Sequence, residues 1–170
     1  MLERFFPDDY VDSAYKIDYA ALYQQGIRGL IYDIDNTLVE HGADANEEAI
    51  ALMKRLRELG FSVCFLSNNK EPRVKRFNEP IQAPYLYKGG KPGRVGYEKA
   101  MQLLGTNHKT TVFIGDQLFT DIYGAKRTGI RNILVKPIGK KEEIQIVLKR
   151  YLERIVLYHY NKKKHVRNVR

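Results

Sequence analysis

The sequence predicts an α/β fold: a doubly wound, Rossmann-like parallel sheet of about five strands with helices on both faces and no cap domain. Short runs of β-branched and aromatic residues alternate along the chain with segments whose apolar residues recur at helical spacing. Strands that are separated by single helices pair in parallel through right-handed crossovers. The length of 170 residues favours one domain over residues 1–170.

The predicted strands are short and bounded by residues that favour turns. The first, GLIYD at 29–33, is apolar without helical spacing, as is typical of a strand buried on both faces. The other strands are predicted at 61–67, 83–87, 110–116 and 131–135. Residues up to Gln25, which include five Tyr and Phe before Ala20, are expected to form a helical or irregular arm packed on the sheet.

The helices are marked mainly by their ends. Asn46 suits an N-cap and Gly60 a C-terminal stop, and the residues between them place Ala49, Met53 and Leu56 on one face. Further helices are predicted after Pro72, from Pro92 to Leu104, from about Thr120 to Gly129 and from about Lys141 to Tyr160.

Composition indicates a globular protein of a reducing cytosol. Hydrophobic residues make up 44%, and no apolar run approaches the ~20 residues of a membrane span. The start, MLERFFPDDY, has acidic residues where a secretory signal would be basic and apolar. The single cysteine, Cys64, lies in an apolar run and is expected to be a core residue.

The positive charge is concentrated at one end. Residues 140–170, the predicted C-terminal helix and basic tail, contain ten Lys and Arg against three Glu, which is +7 of the net +9. This end therefore suits anionic partners such as lipid headgroups, nucleic acid or acidic proteins.

Two carboxylates follow the first predicted strand. Asp33 and Asp35, with Thr37 after them, leave the carboxyl end of that strand, where open α/β sheets bind their ligands. Paired carboxylates at such a place can hold a hard cation, attack an electrophile or move a proton. A plain acidic turn is the alternative interpretation.

Other polar residues follow the other predicted strands. Ser67 and Asn68 suit a phosphate cradle, and Lys91, between Gly90 and Pro92, can neutralise phosphate charge. Asp116 and Asp121 add hard oxygens suited to Mg²⁺. An ordinary turn, a solvated loop lysine and a helix-start acid are the structural alternatives.

In this order, these residues resemble the haloacid-dehalogenase-like (HAD-like) phosphohydrolase superfamily. DIDNT (33–37), the Ser67 of LSNN, the Lys91 of KP and GDQLFTD (115–121) are similar to its four motifs, over about residues 26–136. Lys88 competes with Lys91 for the third motif, and the Lys-Pro pair at a helix start favours Lys91. FFPD (5–8) through GIRGLIYDIDNTLVEHG (26–42) also resembles a bacterial group of subfamily IIIA, which is similar to mitochondrial phosphatidylglycerophosphate phosphatases.

The resemblance implies the roles of the site residues. Asp33 would be the nucleophile that forms an aspartyl-phosphate, and Asp35 would be the general acid and base, protonated by its surroundings when it acts as acid. Thr37, Ser67, Asn68 and Lys91 would bind the substrate. Mg²⁺ would be held by Asp33, the backbone carbonyl of Asp35, Asp116 and Asp121.

The same resemblance bears on the substrate. The gaps after the first and second motifs leave no room for a cap domain, so bulky phosphates such as lipid headgroups can enter. The loop 39–45 is expected to form a local flap, with His41 read as a solvated loop residue. A cytoplasmic lipid-phosphate phosphatase is the leading hypothesis, with the basic tail touching the inner face of an anionic membrane. The alternatives are a phosphatase of a soluble sugar or nucleotide phosphate and a non-catalytic module that binds RNA or the ribosome.

Overall fold

The computed structural model describes residues 2–139 and 144–168. Its sheet has six parallel strands, β1 (Asp9–Val11), β2 (Gly29–Tyr32), β3 (Ser62–Leu66), β4 (Tyr85–Leu86), β5 (Thr111–Gly115) and β6 (Arg131–Val135). The strands lie in the order β1-β6-β5-β2-β3-β4. The predicted fold class is confirmed, and the five predicted strands are all present.

The sixth strand lies in the segment that was expected to be a helical or irregular arm. Strand β1 has only three residues and pairs at the edge of the sheet, where Tyr10 lies opposite Leu134 of β6. A run this short shows no alternation of polar and apolar residues, so periodicity could not reveal it. The rest of the arm is helical, with 3₁₀ turns at Leu2–Phe5 and Ala14–Lys16 and helix α1 at Tyr19–Gln24.

The other helices cover both faces of the sheet. They are α2 (Glu47–Glu58), α3 (Glu71–Asn78), α4 (Val95–Leu104), α5 (Tyr123–Thr128), which continues a π-helical turn at Leu118–Ile122, and α6 (Ile144–Asn168). Neighbouring side chains of β2 show the two faces: Leu30 packs with residues of α1, α2 and α3, whereas Ile31 packs with residues of α4 and α5.

Local signals explain the ends of these helices. The Asn46 side chain accepts a 2.9 Å hydrogen bond from the Ala49 amide and caps α2, as predicted. Helix α4 ends at Gly105 in the left-handed conformation, with a φ of 64°, which glycine adopts without steric cost. Because each of the two gaps that could hold a cap contains one helix, α2 or α3, no cap domain lies there.

Helix α6 differs most from its prediction. The predicted start at Lys141 lies outside the described residues, and the helix runs through Asn168 rather than ending near Tyr160. The helical spacing of its apolar residues favours a face packed on the sheet. Of these residues Val156 is buried, whereas Val147, Leu148, Tyr151, Leu152 and Ile155 are exposed. Arg170 and the side chains of Ile144 and Arg167 lie outside what the structure describes.

Two further observations concern the whole chain. Cys64 is buried in the core, as expected. Among the helices in the described ranges, none combines the length and the apolar character that crossing a membrane requires.

Candidate active site

The predicted site residues converge where the strand order reverses. From β2 the chain builds outward through β3 and β4, and it then returns to the other side of β2 to place β5 and β6. Adjacent strands leave a crevice at their carboxyl ends at such a switch point. Asp33 and Asp116 follow β2 and β5 directly, and the Asp33 amide donates a 2.9 Å hydrogen bond to the Ile114 carbonyl.

Three buried carboxylates form a cluster at this crevice. One oxygen each of Asp33, Asp116 and Asp121 lies within 4.8 Å of the other two. Gly115 makes this proximity possible, because a Cβ atom there would lie 2.5 Å from a carboxylate oxygen of Asp121. We call these three residues the acid cluster; buried oxygen donors at this spacing fit a hard divalent cation.

Lys91 enters the acid cluster from the loop before α4. Its ammonium group donates hydrogen bonds of 2.7 Å to both Asp33 and Asp121. Lys88, the other candidate, has an exposed side chain and a backbone amide that bonds to the Asn69 carbonyl. The geometry therefore brings Lys91, and not Lys88, to the carboxylates.

The loop of Lys91 is fixed by Asn68. The Asn68 amide donates to the Lys91 carbonyl at 2.9 Å and accepts from the Lys91 amide at 2.8 Å. Its side chain thus joins two loops of the site, although the sequence suggested that it contacts substrate. The neighbouring Ser67 is buried and lines the cleft, and its Oγ accepts a bond from the Asn69 amide.

Asp116 is held by groups from two other segments. Thr37, predicted to bind substrate, donates a 3.1 Å hydrogen bond to Asp116 Oδ1. Arg150 of α6 forms an ion pair with Asp116 Oδ2 and donates a 2.5 Å hydrogen bond to the Asp116 carbonyl. Both carboxylate oxygens of Asp116 therefore have partners, one of them a cation.

Glu153, one turn further along α6, holds the loop after β5 that carries Asp116. Its carboxylate accepts hydrogen bonds from the Leu118 amide at 2.7 Å and from Arg150 at 2.9 Å. Sequence analysis did not identify Arg150 or Glu153 as site residues. The available signal was a pair of opposite charges three residues apart, in line with Val156 and Tyr160 on the buried side of α6.

Asp35 points away from the acid cluster to a separate set of donors. The Gly42 amide, Arg73 and Asn69 donate to its carboxylate at 2.7, 2.9 and 3.0 Å. Arg73, on α3, was not identified from the sequence either. In the part of the chain that the structure describes, its buried Nε and Nη1 atoms lack a hydrogen-bond partner.

These surroundings shift the pKa values of Asp33 and Asp35, the two aspartates of the first motif, in opposite directions. Burial raises the pKa of Asp33 to about 7 even though Lys91 opposes the rise. Burial also acts on Asp35, but the Gly42 amide, Arg73 and Asn69 outweigh it and hold the pKa of Asp35 below its usual value. Asp35 is therefore a carboxylate in this arrangement, not the protonated acid that the family mechanism requires in its first step.

The neighbouring charges of the site also shift the pKa values of Asp116 and of Lys91, which contacts the acid cluster. Burial and the neighbouring Asp121 and Asp33 raise the pKa of Asp116 well above its usual value, and Arg150 opposes them only in part. Burial alone lowers the pKa of Lys91, but Asp121 and Asp33 outweigh it and raise that pKa. Lys91 is accordingly a permanent cation in the site.

An open cleft of about 570 Å³ leads to these groups. Asp33, Asp35, Ser67, Asn68 and Lys91 line it, together with residues of the mouth: His41, Asn69, Pro92, Gln117, Phe119, Thr120 and Lys149. His41 Nδ1 lies 4.0 Å from Asp35, so this histidine is at the cleft. Lys149 comes from α6, which thus contributes both to the interior of the site and to its mouth.

The comparisons with known proteins agree with this geometry. A HAD-hydrolase-like family model matches residues 89–148. A probable phosphatase of Bacillus subtilis, YqeG, is 36% identical over 168 residues, covering 98% of each chain. The chain belongs to the HAD-like hydrolase family and is a HAD-type phosphatase.

Two further similarities are more distant. A phosphatidylglycerophosphate phosphatase of Arabidopsis thaliana is 25% identical over 147 residues, which cover 77% of this chain and 40% of the plant protein. The fold resembles that of the cobalt-bound deoxy-D-mannose-octulosonate 8-phosphate phosphatase of Haemophilus influenzae. The TM-score is 0.50 at 19% identity, and the match covers 81% of this chain and 91% of the other.

Proposed function

We propose that this protein is a Mg²⁺-dependent phosphomonoesterase that works through an aspartyl-phosphate on Asp33 and prefers a lipid phosphate. The observation that supports the chemistry is that Asp33, which lines an open cleft, belongs to the acid cluster and is bonded to Lys91, as Asp121 is. The residues for nucleophilic attack, charge neutralisation and proton transfer thus line one cavity.

In the first half of the reaction, Asp33 attacks the phosphorus atom and the substrate oxygen leaves. Lys91, already bonded to Asp33, is placed to neutralise charge on the phosphoryl oxygens, and the buried Ser67 hydroxyl to donate to one of them. The leaving oxygen needs a proton, and Asp35 can provide it once substrate binding has raised its pKa.

In the second half, the acyl phosphate on Asp33 is hydrolysed. Asp35 is ionised, lines the same cleft and is kept in place by its three donors, so it can accept a proton from the attacking water. Asn69 and Arg73 position this carboxylate without being required to touch substrate.

The donor set fits a divalent cation. Asp33, Asp116 and Asp121 would hold it, with the backbone carbonyl of Asp35 as a further oxygen ligand, and carboxylate and carbonyl oxygens are the ligands that Mg²⁺ prefers. When bound, such an ion offsets the repulsion between a phosphate dianion and a carboxylate nucleophile.

Three observations support a lipid phosphate as substrate. The cleft is open and lacks a cap, a distant plant relative is a phosphatidylglycerophosphate phosphatase, and α6 ends in Lys162, Lys163 and Lys164. We infer a cytoplasmic enzyme that contacts the inner face of an anionic membrane through this basic end. The acid cluster, with Lys91 between two of its carboxylates, favours catalysis over a vestigial site in an RNA-binding module.

A panel of phosphomonoesters tests this function. Phosphatidylglycerophosphate in detergent micelles would be compared with sugar and nucleotide phosphates, with Mg²⁺ or with EDTA. We expect Mg²⁺-dependent phosphate release, with the highest kcat/KM on the lipid, and no release by Asp33→Asn. Higher kcat/KM on a soluble phosphate would contradict the lipid preference, and no release from any substrate would contradict the activity itself.

A further inference from the structure

The outward face of α6 carries a continuous apolar surface. Six large side chains on this face are between 47% and 69% exposed: Val147, Leu148, Tyr151, Leu152, Ile155 and Tyr158. We call them the α6 stripe. They recur at helical spacing, so they form one band along the helix. The other exposed large apolar side chains of the described residues, such as Val95 and Leu103 on α4, form no such band.

The position of the stripe follows from how α6 is attached to the body. Glu153, Val156 and Tyr160 are buried, and Arg150 and Glu153 bond to the loop after β5. These contacts fix the rotation of the helix and turn the larger apolar face outward. Contiguous exposed apolar bands of this kind mark binding surfaces.

The exposed charges that α6 itself contributes have one sign, although Lys163 is paired with Glu3. Between residues 144 and 168 the only acidic residue is Glu153, which is buried. The exposed charged residues of this helix are cations: Lys149, Arg154, Lys162, Lys163 and Lys164. An apolar band flanked by lysine and arginine, and carrying two tyrosines, matches helices that lie in the interface of an anionic bilayer.

A second copy of the chain fits this surface less well. Two such helices packed face to face would bring the lysine and arginine side chains of both copies together, and these like charges repel each other.

We propose that the α6 stripe docks on an anionic phospholipid bilayer, with its apolar side chains at the headgroup boundary and the flanking cations among the headgroups. Lys149 lines the mouth of the cleft and Arg150 contacts Asp116, both on the helix that would lie on the bilayer. Docking through the stripe would therefore hold the cleft within about one helix diameter, roughly 10 Å, of the bilayer. This deepens the proposed function and rests on it for the substrate, but lipid binding can be measured without catalysis.

The test uses the Asp33→Asn protein, so that no lipid is hydrolysed during the measurement. Co-sedimentation would be compared with vesicles of phosphatidylcholine alone and with an equimolar mixture of phosphatidylcholine and phosphatidylglycerol. We expect binding to the mixed vesicles only. Adding Leu148→Ser and Leu152→Ser should weaken that binding at least about tenfold, because two leucines lose their burial in the bilayer.

Leu103→Ser is the matched control, since Leu103 is 53% exposed on α4, away from the stripe. It should leave vesicle binding unchanged, and circular dichroism should show all variants folded. The proposal is overturned if the double serine variant binds as well as its parent, or if the parent ignores anionic vesicles. It is also overturned if light scattering shows a dimer that the serine substitutions dissociate. Mg²⁺-dependent hydrolysis of a small soluble phosphate by the chain with Asp33 intact reports on the proposed catalysis separately.

Discussion

Arg150 and Asp116 are joined twice, although 34 positions separate them: the guanidinium group pairs with the carboxylate and also bonds to the carbonyl of the same residue. Asp116 is one of the three carboxylates suited to hold a cation, and its side chain is fully buried. Arg150 therefore supplies positive charge to a group that a divalent ion would also use. The contact that attaches α6 to the body of the protein is therefore expected to weaken the attraction of Asp116 for a metal ion.

Replacing Arg150 by methionine should strengthen Mg²⁺ binding and destabilise the metal-free protein. Removing a cation from a buried carboxylate raises the attraction for another cation. At an effective dielectric constant of about 20, two unit charges about 4 Å apart interact by about 4 kcal/mol, so we expect a gain in affinity of at least about tenfold. Isothermal titration calorimetry with MgCl₂ and thermal unfolding in EDTA would measure the two effects. Arg150→Lys, which keeps the charge, should lie between the methionine variant and the parent. Unchanged or weaker Mg²⁺ binding by Arg150→Met would show that Arg150 only positions Asp116.

Substituting Asp33 and Asp35 one at a time should distinguish the nucleophile from the residue that transfers protons. Asp33→Asn should abolish turnover, since the amide cannot attack phosphorus. Asp35→Asn should lower kcat by about 10²–10⁴-fold, the usual contribution of a general acid or base. Initial rates on a small soluble phosphate would measure both, with circular dichroism as the control for folding. Turnover by purified Asp33→Asn at the parent rate would exclude the proposed mechanism.

Metal removal should be reversible and selective. EDTA should inactivate the enzyme and Mg²⁺ should restore it. Ca²⁺ should bind but support little turnover, because its larger and looser oxygen shell does not align phosphate with Asp33. Phosphate release after dialysis against each ion would measure this. Full activity after rigorous chelation would contradict the role given to the acid cluster.

The metal-free protein should lose stability as pH rises. The pKa of Asp33 is about 7 in the folded chain against an ordinary 3.8, so folding favours its protonated form. Its contribution is fully present below about pH 4 and is lost as pH rises through about 7. In EDTA, Asp33→Asn should therefore unfold at a higher temperature than the parent near pH 8, and the difference should shrink near pH 5. A difference independent of pH would contradict the raised pKa.

The sequence was sufficient to predict the fold class and the convergence of the site residues. The reason is that the motifs lie at the ends of strands with clear apolar patterns. Asp33, Ser67 and Asp116 follow β2, β3 and β5 within two residues. A parallel sheet brings such positions to one edge whatever the details of the loops. The choice of Lys91 over Lys88 came instead from the resemblance to the family, in which a Lys-Pro pair begins a helix.

The sequence did not reveal the contacts made across the fold. The apolar residues of α6 suggested a packing face, but Arg150 and Glu153 turn the helix so that only Val156 of that set is buried. Nor did the sequence reveal that the Asn68 amide bonds to the Lys91 backbone. Such outcomes depend on which partner reaches a group in three dimensions, and the spacing of residue types does not encode that.

The pairing of two cations with three carboxylates has a consequence for the whole reaction cycle. With all three carboxylates ionised, Asp33, Asp116 and Asp121 together with Lys91 and Arg150 carry one formal negative charge in total. The same set with a divalent ion carries one positive charge, and with a phosphate dianion added it returns to one negative charge. The pocket thus stays within one charge of neutrality at every stage, so no stage leaves several unscreened like charges in a buried space, where desolvation is most costly. Without Arg150 the empty and the substrate-bound pockets would each carry two negative charges, and release of an anionic product would be correspondingly easier.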